Sequence, residues 1–153
     1  LLHGGFPHIA SVVRLFPTLF AVAYFALYTK ESRFKSLILA VPLLAMVAFN
    51  LHPIGRTVWY YSLYWLIPVA CFAVKDRFSF ARSLGATFTA HGVGGAMWIW
   101  LFNLPANVWI GLIPQVAMER GLIAIGVFVS YHLFVQAVHA LAKKNLITPV
   151  HIG

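Results

Sequence analysis

The sequence predicts an all-α, polytopic membrane helix bundle forming a single transmembrane domain over residues 1–153, and three observations carry that prediction. Hydrophobic residues make up 61% of the chain and charged residues 9%, against roughly 25% charged in a soluble domain with a wetted surface. The apolar residues fall in runs approaching the about 20 residues that a helix needs to cross a hydrocarbon core. Between these runs sit short clusters of lysine and arginine, where loops are expected. The net charge of +8 is nowhere gathered into one patch, so it marks loops beside a membrane and not a nucleic-acid surface. Cys71 is the single cysteine and lies in an apolar run, which excludes an internal disulfide and a thiolate metal cluster.

The predicted elements follow in order. The first span covers 9–29, "IASVVRLFPTLFAVAYFALYT", and ends at "KESRFK". The second, 36–51, "SLILAVPLLAMVAFNL", is closed by "HPIGR". The third, 57–74, "TVWYYSLYWLIPVACFAV", runs into "KDRFSFAR". The fourth, 83–102, stops at "NLPAN". The stretch 106–142 is too long for one simple span. It reads as a short outer cap or re-entrant helix near 106–119, broken by Pro114, and then a fifth span, "GLIAIGVFVSYHLFVQAVHALA".

Basic residues stay on the cytoplasmic side of a membrane. Lys30, Arg33 and Lys35 mark one inner loop, Lys75, Arg77 and Arg82 another, and Lys143 with Lys144 an inner C-terminus. The alternate loops carry Arg56 or no charge at all. The N-terminus is thus expected outside and the C-terminus in the cytoplasm, in a multi-pass protein of the cell membrane. On this topology Trp59, Trp65, Trp98, Trp100 and Trp109 all fall in the outer half. An aromatic belt would place some tryptophan at the inner face as well. A belt and an outward-opening aromatic pocket both remain open readings.

Polar groups at membrane depth need a partner or a task. His91 lies about nine residues past Arg82, close to the midplane at 1.5 Å per residue. His132 is expected at a similar depth in the last helix. Arg14 sits inside the outer end of the first helix, where snorkelling to the headgroups is the plain alternative. Glu119 and Arg120 open the last helix and point about 100° apart, so they are not each other's simple partner. They read either as interfacial charges or as a polar wall for a ligand. Ala86, Ala90 and Gly94 recur every fourth residue, a small-residue ridge that lets another helix approach, with Gly92 and Gly95 leaving further open surface.

The stretch "RSLGATFTAHGVGGAMWIW", followed by a polar loop and "WIGLIPQVAMERGL", resembles the fifth helix, outer loop and sixth helix of the vitamin-binding S-components of energy-coupling factor (ECF) transporters. It is similar in particular to their thiamin-specific branch, and the resemblance covers roughly residues 82–126. It implies six helices, the first preceding Leu1. Residues 9–29 lack the Ala-xxx-Ala face that the family's first helix presents to the coupling subunit. It also implies a ligand contact at His91 and an aromatic one at Trp98, and partnership with an ECF transmembrane coupling subunit and ATPase subunits. The expected substrate-binding set is His91, Trp98, Gly94, Gly95, Trp109, Glu119, Arg120 and Arg14, around a vitamin-like heteroaromatic solute. No metal, cofactor or catalytic residue is expected.

The rival reading is a membrane b-type cytochrome with haem between His91 and His132. An intramembrane hydrolase built on Glu119 with either histidine is disfavoured, because the chain has three acidic residues, no HExxH motif and no paired carboxylates.

Overall fold

The computed structural model describes residues 6–28, 35–74 and 77–144, without the side chains of residues 6–10, 12–14, 35 and 36. The side chain of Arg14, and Lys30, Arg33 and Lys75 of the basic loops, lie outside the described residues. The described chain is all-helical. Its elements are α1 (Phe6–Leu27), α2 (Lys35–Leu51), α3 (Pro53–Thr57), a 3-10 segment (Trp59–Leu66), α4 (Ile67–Ala73), α5 (Ser79–Phe102) and α6 (Ala106–Lys143).

Two expectations are corrected. The stretch 57–74 is not one α-helix but a 3-10 segment running into the short α4. Pro68 has no N–H to give the Tyr64 carbonyl, and the Ile67 N–H takes that carbonyl in its place, three residues back. The second correction concerns 106–119, which forms neither a separate cap nor a re-entrant piece. It is the first part of α6, a continuous 38-residue helix with Pro114 in its interior. Proline removes one intrahelical bond, and a helix packed on neighbours continues past that loss. Here the Tyr64 hydroxyl donates to the Ile113 carbonyl at 2.9 Å, tying the helix to the 3-10 segment beside the proline.

Helix α5 is the centre. It packs against α1, α2, the 3-10 segment, α4 and α6, most extensively against α1. The pairing of α1 with α5 is antiparallel: Pro17 faces Gly94 near one end and Tyr24 faces Gly85 near the other. The same holds for α6, where Trp109 shares a cavity with Trp98 while Tyr131 meets Arg82. The 3-10 segment and α4 also run against α5, whereas α2 runs with it and receives the Trp100 indole N–H on the Ala48 carbonyl at 3.0 Å.

Small residues on α5 permit these approaches. The Trp65 ring lies so close that a methyl group on Gly95 would sit 2.7 Å from its Cζ2. Tyr24 packs on Gly85 with its hydroxyl donating to the Pro68 carbonyl at 2.6 Å, so the ring has nowhere to retreat. The core divides into an aromatic cluster around Phe49, Tyr61, Trp65 and Trp109 and a second cluster around Tyr24, Tyr28 and Cys71. Outward faces are apolar: Leu15, Leu19, Val22 and Leu44 are each more than 60% exposed. One described helix, α6, is long and apolar enough to cross a membrane, and Leu15–Leu27 and Leu37–Leu51 are shorter apolar helical stretches.

Gly85→Ala is therefore expected to destabilise the fold by about 1–3 kcal/mol, the range for overpacking a filled interior. Gly94→Ala, whose added methyl would meet Pro17 at an ordinary 3.6 Å, should melt close to the native chain. Equal thermal midpoints for the two variants in detergent would contradict the packing described.

Candidate functional site

A cavity of about 500 Å³ opens between α1, the 3-10 segment, α5 and α6. Ala90, His91, Gly94, Gly95 and Trp98 of α5 form one wall, and Trp109, Leu112, Val116, Glu119 and Arg120 of α6 form the facing one. Pro17 and Thr18 of α1 and Tyr61 of the 3-10 segment complete it. His91, Gly94, Gly95, Trp98, Trp109, Glu119 and Arg120, which were singled out from the sequence, thus line one space. Helical spacing explains the α5 wall, because residues three or four apart stack on one face.

The histidine is buried, and its Nε2 lies 3.3 Å from the Tyr61 hydroxyl, a hydrogen bond whose direction follows the tautomer. The rings of Tyr61, Trp65 and Phe88 meet the imidazole edge-on. Its orientation is therefore fixed by an aromatic cage. Trp109 is buried against Phe49 and Tyr61, with ring centroids 5.0 and 5.1 Å away. Its indole N–H, like the Arg120 Nε, is buried without a hydrogen-bond partner. Unpartnered buried donors are costly, and a bound molecule or water is what relieves them. Glu119 accepts from the Gln115 amide at 2.7 Å, which orients its carboxylate. Trp98 is half-buried and tilts against Phe102 with centroids 4.3 Å apart.

The tryptophans divide in two. Trp59 and Trp100 are each 55% exposed, as in a belt, whereas Trp65 and Trp109 are buried and Trp98 lines the cavity.

The continuity of α6 changes the depths expected for its polar residues. Glu119 and Arg120 stand level with His91, well along the helix and not at its outer start. His132 stands level with Arg82, in a different cavity, with its Nδ1 2.8 Å from the Phe128 carbonyl. His91 and His132 therefore do not face each other at equal depth. Among the described residues no group of three or more His, Cys, Asp or Glu is placed to hold a metal ion. Sequence reasoning missed Tyr61. Its only signal was a tyrosine in an aromatic run, and the non-α-helical spacing of that run hides which ring turns inward.

What the cavity offers is an aromatic wall, the Glu119 carboxylate, the Arg120 guanidinium, the Thr18 and Tyr61 hydroxyls and an imidazole. Sites of this volume with few convergent polar groups suit one small molecule. No family model, characterised protein or solved structure matches this chain.

Tyr61→Phe removes the partner of His91 while keeping the ring. It is expected to lower stability by about 0.5–1.5 kcal/mol, the range for one intramolecular hydrogen bond. An unchanged melting midpoint would mean that the contact carries no energy.

Proposed function

We propose that this chain is a multi-pass membrane protein that captures a small, planar, vitamin-like heteroaromatic solute as the substrate-specific subunit of an ECF-type transporter. The single observation that carries the reading is the cavity shared by His91, Trp98, Trp109, Glu119 and Arg120. A ring system stacks on Trp98, while the imidazole, the indole N–H and the charged pair fix its orientation. On this reading the chemistry is binding, with Glu119 as the one carboxylate among the described lining residues. Its partners on this reading are a transmembrane coupling subunit and ATPase subunits.

The membrane reading draws on the apolar outward faces and on element lengths. Helix α1 has 22 residues and α5 has 24, and about 20 suffice for the hydrocarbon core. On this reading α1, α2, the 3-10 segment with α4, α5 and α6, which alternate in direction, are five crossings, with the N-terminus outside and Lys143 and Lys144 in the cytoplasm. The haem alternative has less support, since His91 and His132 line separate cavities.

Two measurements test this. With Cys71→Ala as background, an impermeant thiol reagent on intact cells is expected to label a cysteine at Asn107 and spare one at Ser79; the reverse pattern overturns the topology. For the site, mass spectrometry of the purified chain is expected to find a copurifying heteroaromatic compound. Trp98→Ala should weaken its binding by about 1–3 kcal/mol, as for one lost stacking partner, and His91→Ala should weaken it strongly. Undiminished binding in both variants would remove the ligand from this cavity, and a Soret band lost in His91→Ala would restore haem.

A further inference from the structure

A second cavity of about 390 Å³ lies at the opposite end of the bundle, where α1 ends, α5 begins and α6 passes. We propose that it holds the phosphate of an acidic phospholipid headgroup at the cytoplasmic face. This rests on the membrane part of the reading above, and not on solute uptake.

Arg82 is the centre of the site. Its Nε donates to the Phe25 carbonyl at 2.7 Å and its Nη1 to the Tyr131 hydroxyl at 3.2 Å. The guanidinium carbon stands 3.9 Å from the Phe25 ring centroid and 4.9 Å from that of Tyr131. Phe25 belongs to the last turn of α1, whose carbonyls have no partner within the helix, so Arg82 caps α1 while pinning it to α6. These bonds hold the guanidinium rigidly and use two of its five donors. The remaining donors belong to a part-buried cation with no carboxylate beside it: no acidic residue is among the described lining residues. Of the chain's three acids, Glu119 lines the other cavity, and Glu31 and Asp76 lie outside the described residues.

A part-buried cation with no counter-charge among the described lining residues favours an anion. Arg77 adds a second positive charge at the cavity, and Ser79 and Ser83 add hydroxyls. The fork of a guanidinium matches phosphate oxygens well. Position selects a lipid as the source. The cavity lies at the first turn of α5, on the arginine-bearing end, where anionic lipids of the inner leaflet concentrate basic side chains. Phe78 lines it while 62% exposed, giving acyl chains an apolar surface at the mouth.

The test uses the full chain in nanodiscs of phosphatidylcholine doped with phosphatidylglycerol, and reads the lipid retained through detergent exchange by mass spectrometry. Native protein is expected to retain phosphatidylglycerol in preference to phosphatidylcholine. Arg77→Gln, at an exposed position, should retain about fivefold less, the change expected for one basic residue at an anionic membrane surface. Arg77→Lys should retain nearly the native amount. No preference in the native chain, or equal retention in Arg77→Gln, overturns the proposal. Stabilisation by inorganic phosphate to the same degree as by the lipid overturns the lipid assignment. Release of the chain from membranes by alkaline carbonate overturns the membrane reading together with this one. An integrated chain without lipid preference sinks this proposal alone.

Discussion

The close approach of large rings to the small-residue face of α5 is the constraint on which the rest of the structure depends. Gly85 admits Tyr24, and Gly92 and Gly95 admit Trp65. Each ring brings its own element onto the central helix. Tyr24 carries α1 and bonds to Pro68 of α4, so three elements are fixed by one side chain. Trp65 brings the 3-10 segment in, and Tyr61 of that segment then reaches His91. Without the glycines the imidazole would have neither its cage nor its hydroxyl partner. The site is thus a product of packing at another set of residues. The same surface that closes the core sets Gly94 against Pro17 of α1 at an ordinary contact distance, at the edge of the cavity.

The continuity of α6 sets the second relation, that of depth. An antiparallel helix that starts directly after a three-residue connection must keep step with α5 from the connection onward. Asn103, at φ 43°, takes the left-handed turn that begins this reversal. Asparagine tolerates that conformation better than most residues. From there Trp109 and Arg120 come to line one cavity with Trp98 and His91, and Tyr131 meets Arg82. The charged pair is carried to the middle of the bundle, and His132 to its basic end.

Much of this was legible in the sequence. Spans one, two and four are plain from the length of their apolar runs, and α1, α2 and α5 occupy nearly those residues. A helix has a fixed period, which makes the small-residue ridge of Ala86, Ala90 and Gly94 readable, while His91 and Trp98 stand out through the resemblance of their stretch to the S-components. The third span was misread because hydropathy does not register a missing amide hydrogen at Pro68. The last was divided at Pro114 because, in sequence, a proline and a charged pair look like a boundary. The helix continues through the proline, as α1 and α2 do through Pro17 and Pro42. That misreading put Glu119 and Arg120 near the rim and His132 opposite His91. Tyr61 was invisible for a related reason, since a 3-10 segment has no face that an α-helical period would find.

The length of α6 has a mechanical consequence. At 1.5 Å per residue its 38 residues make a rod of about 57 Å. With Tyr131 beside Arg82, three residues inside α5, the end of α6 overhangs the start of α5 by about 14 Å. Membrane helices tilt by up to about 40°, and at that angle such a rod still projects about 44 Å on the normal. A bilayer with its headgroups is about 40–45 Å thick. Set across a bilayer, a helix of this length is therefore not accommodated by leaning alone. In a bilayer α6 bridges one polar layer to the other at its greatest tilt, and at any smaller tilt an end stands free in water.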